Sequence, residues 1–370
     1  MRALLASLVI AFGAAAQAPP DTLDLFLIAG QSNALGAGGD VTLAPVPDRG
    51  TAYWTRLRDG ELALVPVGIA HHASNGSLGP AFARRYYERT GRPVALLQTA
   101  FRGTPVVALV EEGNGHWSAK RPGLGPRGGP DRLAEAVEAV AAVRARQPRG
   151  PAGSGPYALR AAGVIWVQGE ADATGILGRK TTEVDYRNGL ALTTAALRAA
   201  AGDSLGQAPL YLVQTGRPLP ADNRGYRSVR RAQEHGGAAG WYTLACDHAV
   251  TFAETGRMTD NAHWDQEALN HVGEHVAEAA ATDAPPPYEP PSDEEPQPTA
   301  AEDGPQGDDR LPYPNPARPG QFVRGLPAGA PVHDALGRLV GHVGPRGGVE
   351  APRAPGVYAS GGVRFAVYRP

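Results

Sequence analysis

Five short apolar runs, separated by longer amphipathic stretches, constrain this chain more than any other feature. They are Leu23–Ala29, Pro93–Ala100, Ala162–Gln168, Pro209–Gln214 and Trp241–Ala245. Runs of this length, apolar at nearly every position, suit strands buried on both faces. The stretches between them repeat their apolar residues at helical spacing. Residues 80–90 carry Phe82, Tyr86 and Tyr87; residues 131–147 carry Leu133, Val137, Val140 and Val143. Residues 183–201 carry Val184, Leu190, Leu192 and Leu197. Residues 265–281 carry Leu269, Val272 and Val276, with Asp265 placed to cap the start. Strands alternating with helices predict an α/β domain with a parallel sheet covered on both faces, in three α/β/α layers over residues 20–283. Ligands of such sheets bind at the carboxyl edge of the strands.

The flanks read differently. Residues 1–18 have the form of a secretory signal peptide: Arg2, then a short apolar stretch from Leu4 to Ala16, then small residues. That stretch falls short of the ~20 residues a membrane span needs, and the rest of the chain offers no other, so the mature protein is expected to have no membrane span. Cys246 is the only cysteine, which excludes an internal disulfide. It ends an apolar run and is expected to be a buried thiol. Residues 284–310 form an expected linker: positions 283–309 hold eight Pro and nine Asp or Glu and no Lys or Arg, a composition that cannot bury a core. Residues 311–370 alternate in short runs broken by Gly and Pro, as in a small all-β sandwich module. The formal net charge of −2 gives no basis for binding nucleic acid.

Three segments carry the chemistry. Gly30-Gln31-Ser32-Asn33 follows the first apolar run, Gln168-Gly169-Glu170 follows the third, and Asp260-Asn261-Ala262-His263 lies near the end of the domain. A serine hydroxyl becomes a nucleophile only beside a base, which a third group must orient. Ser32 as nucleophile, His263 as general base and Asp260 as the orienting carboxylate make that set. The Ser32 and Gly103 amides and the Gln168 side chain are candidate oxyanion donors. Gln31, Asn33 and Glu170 are candidates for support, Glu170 by pinning the loop or the His263 segment. Each residue also has a plainer reading: Ser32 as a helix cap, His263 as a loop histidine, Gly103 as a turn glycine, Gln168 as a buried hydrogen-bond partner.

Taken together, Gly30-Gln31-Ser32-Asn33, Trp166-Val167-Gln168-Gly169-Glu170-Ala171-Asp172 and Asp260-x-x-His263 resemble the SGNH hydrolases. The branch they resemble most is the sialate O-acetylesterase and carbohydrate esterase family 6 group, which includes acetylxylan esterases. The resemblance spans residues 22–280. It implies a flavodoxin-like fold, a Ser32–His263–Asp260 triad, an oxyanion hole completed by Gly103 and Gln168, no metal or other cofactor, and an acetylated carbohydrate as substrate. Two positions depart from the family pattern: Arg102 stands where the second block usually has glycine, and Trp264 where Phe is usual. The C-terminal segments Tyr313-Pro314-Asn315-Pro316, Asp334-Ala335-Leu336-Gly337-Arg338 and Pro355-Gly356-Val357-Tyr358 resemble a type IX secretion sorting domain. That implies the type IX secretion machinery as partner and a secreted or cell-surface protein.

The residues also support competing chemistry. Glu170 and Asp172 form a carboxylate pair of the kind glycosidases use. His271-Val272-Gly273-Glu274-His275 matches H-x-x-E-H, a zinc peptidase pattern. Gly273 weakens that helix and no third ligand is evident, so these are expected to be surface residues, and His248 a loop residue. Two further functions fit the same fold: a sugar-binding surface protein, and a lipolytic or thioester hydrolase. Arg56, Arg102, His116, Trp117 and Arg217 are candidates for lining a sugar site.

Overall fold

The computed structural model describes residues 22–58, 61–68, 76–146, 148, 157–203 and 206–283, and six strands between 322 and 367. The expected signal peptide, the expected linker from residue 284 and the motif at residues 313–316 lie outside the described residues. The chain divides into two units, one up to Pro290 and one from Pro291.

In the first unit, seven strands form one sheet in the order β3-β2-β4-β1-β5-β6-β7. They are β1 (Thr22–Gly30), β2 (Ala52–Arg58), β3 (Glu61–Pro66), β4 (Val94–Gln98), β5 (Ala158–Val167), β6 (Leu210–Val213) and β7 (Thr243–Cys246). All five predicted runs are strands, and β2 also runs parallel to its neighbour β4. Only β3 is antiparallel, pairing with β2 as an edge hairpin. The predicted parallel sheet is thus mixed at one edge.

Eight of the nine residues of β1 are buried, because it is central and covered on both faces. Its alternation sorts the core. Leu23, Leu25, Leu27 and Ala29 join one cluster, with Leu133 and Val140 of α3 (Arg132–Arg144), Leu190 and Leu197 of α5 (Glu183–Ala201) and Val229 of α6 (Arg224–Ala238). Phe26 and Ile28 join the other, with Phe82 of α2 (Gly79–Thr90) and Leu269, Val272 and Val276 of α7 (Gln266–Thr282). Two short helices, α1 (Ser32–Leu35) and α4 (Glu170–Leu177), start within three residues of the ends of β1 and β5. The result is the three-layer α/β/α arrangement.

The chain leaves β1 for β2, β3 and β4 on one side of it and then crosses from β4 to β5 on the other, so the strand order reverses at β1. The carboxyl ends of the three central strands, β4, β1 and β5, therefore diverge into a crevice, the place such sheets offer to ligands.

The second unit has a four-stranded sheet, β10-β9-β12-β13, and a two-stranded sheet, β11-β8. Its strands are β8 (Phe322–Arg324), β9 (Pro331–Asp334), β10 (Leu339–His342), β11 (Gly348–Glu350), β12 (Gly356–Ser360) and β13 (Val363–Val367), all paired antiparallel.

Candidate active site

Ser32 opens α1 directly after β1, and the turn between them depends on Gly30. Gly30 has φ +127°, and a Cβ there would lie 2.0 Å from the Val167 carbonyl oxygen. Any side chain would drive β1 away from β5, so glycine is required. Gln31 is buried beside it. Its Oε1 accepts from the Ala171 amide at 3.2 Å and from Gln168 Nε2 at 3.3 Å, tying the end of β1 to α4.

A cavity of about 360 Å³ opens beside Ser32. Ser32, Gly103, Glu170 and His263 all line it, with Gln31, Arg102 and Asn114 among the polar groups. His263 Nδ1 lies 2.6 Å from Asp260 Oδ2, and Asp260 Oδ1 accepts from the amides of Ala262 and His263, both at 2.8 Å. Burial works against the Asp260 charge, but these bonds prevail and hold its carboxyl below the usual range. A charged Asp260 at Nδ1 favours the tautomer whose Nε2 accepts a proton.

Asn33 holds this loop from the far side. Its Oδ1 accepts from the Trp264 amide at 3.1 Å, and its Nδ2 donates to the Ala262 carbonyl at 3.1 Å and to Glu170 Oε1 at 2.7 Å. Glu170 is buried at the start of α4, and burial pushes its carboxyl above the ordinary value. Its Oε2 borders the cavity residues without a protein partner among the described residues.

Gln168 follows β5 and lies in a buried network. Its side chain is buried, is not among the cavity residues, and its Nε2 faces Asp172 Oδ2 at 2.6 Å, the Thr104 carbonyl at 3.2 Å and Gln31 Oε1. Both amide hydrogens are engaged within this network, which ties the end of β5 to Gln31, the Thr104 loop and Asp172. Asp172 in turn accepts from the Val106 and Val107 amides at 2.8 and 3.0 Å, fixing the loop after Gly103. Asp172 and Glu170 thus point into different networks, which disfavours a glycosidase pair.

The side-chain amide that does line the cavity beside Gly103 is Asn114. Gly103 has φ +66°, and a Cβ there would lie 3.0 Å from Asn114 Nδ2. Glu111 builds the loop that carries Asn114, accepting from the Gly113, Gly115 and Arg127 amides. Arg132, stacked 3.6 Å over the Phe101 ring, donates to the Asn114 carbonyl at 2.9 Å. Sequence reasoning does not single out Asn114, nor Tyr226 and Thr174 on the same wall. The Gly113-Asn114-Gly115 pattern, an asparagine between two loop glycines, is the one local signal for it.

Of the five residues expected to line a sugar site, only Arg102 lines the cavity that holds Ser32. Arg56 borders a separate depression of about 670 Å³ with Glu135 and Glu138. His116 and Trp117 are fully buried, Trp117 Nε1 donating to Thr104 Oγ1 at 2.8 Å. Arg217 pairs with Glu254 at 3.3 Å. Cys246 is a buried thiol, and burial pushes it up to about 11, out of reach of thiolate chemistry. The H-x-x-E-H stretch departs from its surface reading in one respect: His248, expected as an unattached loop residue, meets His271 and His275.

Among the described residues, no helix is long and apolar enough to cross a membrane. Comparison with curated proteins returned no match. Among solved structures, a protein from Arabidopsis thaliana is similar at 18% identity, with 72% of this chain and 99% of that chain covered and a TM-score of 0.44. A carbohydrate acetylesterase from Xanthomonas citri is similar at 14% identity, with 93% and 78% covered and a TM-score of 0.45. A carbohydrate acetylesterase from Sinorhizobium meliloti is similar at 12% identity, with 71% and 100% covered and a TM-score of 0.32. The profile of the family described as carbohydrate esterase, sialic acid-specific acetylesterase matches residues 22–282, the whole α/β/α unit. The chain belongs to this family of SGNH-type carbohydrate esterases.

Proposed function

We propose that this esterase removes acetyl groups from carbohydrate esters by serine catalysis. Ser32 is the nucleophile, His263 the general base and Asp260 the group that orients it. The observation that carries this reading is the 2.6 Å contact between His263 Nδ1 and Asp260 on a loop lining the same cavity as Ser32. His263 Nε2 takes the Ser32 hydroxyl proton as Oγ attacks the acetyl carbonyl. It then gives that proton to the departing sugar oxygen. Water, deprotonated by the same nitrogen, releases acetate from the acyl-serine.

The tetrahedral oxyanion needs donors preset where charge develops. The Ser32 amide is one of the first-turn amides of α1, which no helical carbonyl accepts. The Gly103 amide and the Asn114 side chain complete the set in this reading. Gln31, Arg102, Asn114 and Glu170 among the lining residues offer hydrogen-bond partners to a hydroxylated substrate.

We also read residues 1–18 as an export signal and residues 311–370 as a type IX sorting domain, which makes the protein secreted or surface-attached. The antiparallel strands of the second unit support a small β module there. Cell fractionation with and without residues 311–370 tests this reading: retention of the shortened chain inside the cell supports it.

Acetate release from acetylated xylan and from O-acetyl sialic acid, by wild type and Ser32→Ala in parallel, tests the activity. Release by wild type alone supports serine deacetylation and selects the substrate. Equal release by the variant rejects Ser32 as nucleophile. A preference for long-chain nitrophenyl esters over acetyl esters rejects the carbohydrate assignment.

A further inference from the structure

Away from the cavity, three histidines converge. His271 and His275 stand one turn apart on α7, on one face of the helix. His248 begins the 3₁₀ turn His248–Thr251 that follows β7. One ligand nitrogen from each lies within 4.8 Å of the others, and His248 Nδ1 is 2.7 Å from His271 Nε2. The ring centroids are 4.4–5.0 Å apart around the triangle. None of the three lines the cavity that holds Ser32.

We propose that His248, His271 and His275 form a binding site for a divalent transition-metal ion of the zinc type. Three imidazoles suit zinc and its neighbours, whereas calcium and magnesium require oxygen donors. Zinc–nitrogen bonds of ~2.0–2.1 Å in tetrahedral geometry place donor nitrogens about 3.3 Å apart. The ligand nitrogens all lie within 4.8 Å of one another, so small side-chain rotations complete the site. His248 is exposed and the other two are half-buried, which leaves an entry path and a fourth position for water. Asp247 Oδ1 lies 3.6 Å from His248 Nε2, on the side of the ring away from His271, where a carboxylate orients a ligating histidine.

The placement gives the ion a structural task. Residues 248 and 271 bound the segment that carries both Asp260 and His263. Phe252 packs 5.6 Å from Trp264 and 6.0 Å from His271, linking the cluster to the neighbour of His263. A bound ion joins the two ends of that segment without touching the cavity.

The test uses the full chain, purified without a polyhistidine tag, titrated with zinc chloride against a chromogenic chelator. The expected result is one ion per chain, with His248→Ala and His271→Gln each weakening binding by about 100-fold or more. Saturating zinc should raise Tm in wild type but not in the variants. Because His248 is exposed, His248→Ala decides the matter if His271→Gln folds poorly. Esterase activity without zinc, unchanged in His248→Ala, shows that the variant is folded. Equal zinc affinity in wild type and His248→Ala overturns the site, as does absence of stoichiometric binding by wild type.

Discussion

Asn33 donates a 2.7 Å hydrogen bond to the buried carboxylate of Glu170, across 137 residues of sequence. The same side chain bonds the backbone at Ala262 and Trp264, on either side of His263. The residue next to the proposed nucleophile therefore sets the position of the proposed base, and Glu170 sets the orientation of Asn33.

Asn33→Ala should misplace the His263 loop rather than alter the groups that react. A displacement of about 1 Å at a catalytic group can cost ~10²-fold in rate. We expect kcat on nitrophenyl acetate to fall by about that factor with KM little changed. A variant with wild-type kcat would show that the loop is held without Asn33.

Asp260→Asn should keep the loop bonds to the Ala262 and His263 amides while presenting the wrong partner to Nδ1. The serine protease triad loses about 10⁴ in kcat on the equivalent change, and a similar loss is expected here. A loss under about tenfold would mean that another group selects the imidazole tautomer.

Asn114 and Gln168 should separate in their effects. Asn114→Ala should lower kcat by about 10²–10³, the usual cost of one oxyanion donor, and leave Tm nearly unchanged. Gln168→Ala strips Asp172 of a 2.6 Å buried hydrogen bond and should destabilise the fold by about 1–3 kcal/mol. Kinetics and urea unfolding on both variants check this. A catalytic loss in Gln168→Ala at unchanged stability would assign Gln168 to the oxyanion hole.

Asp172 should leave a signature in stability against pH. Burial raises its carboxyl to about 6 in the folded chain, against the ~3.9 of an exposed aspartate. Between these values the folded state holds a proton that the unfolded state has released. Its contribution to stability is therefore fully present below about pH 4 and falls as pH rises to about 6. Urea unfolding from pH 4 to 7 should show this fall in wild type and not in Asp172→Asn. Parallel curves for the two proteins would place the Asp172 carboxyl near its ordinary value.

Local chemistry along the chain was enough to specify much of the domain. β1, β4, β6 and the second half of β5 were legible because both of their faces are apolar, whereas β7 has an apolar run but lies at the sheet edge and buries only Cys246. The long helices α5 and α7 were legible from apolar spacing, and α7 also from its cap Asp265, which accepts from the Ala268 amide. Ser32, Asp260 and His263 could be nominated because strand ends and a short Asp-x-x-His spacing are themselves local signals.

Features that depend on distant partners emerged only on folding. Helix α6 was unreadable because its buried face has only Tyr226, Val229 and Ala232 as apolar residues and is otherwise filled by Gly225, Ser228, Arg230, Gln233 and Gly236. The β2–β3 hairpin was missed although residues 62–65 of β3 are all apolar; at the sheet edge β3 buries only Leu62 and Leu64, and Arg56, Arg58 and Glu61 interrupt the hairpin's apolar pattern. Whether Gln168 faces the cavity or Asp172 turns on hydrogen bonds between segments far apart in sequence. The meeting of His248 with His271 likewise depends on how β7 and α7 pack. A side chain's residue type fixes what chemistry it can do, but its burial and its partners, which select one role among several, exist only once the chain has folded.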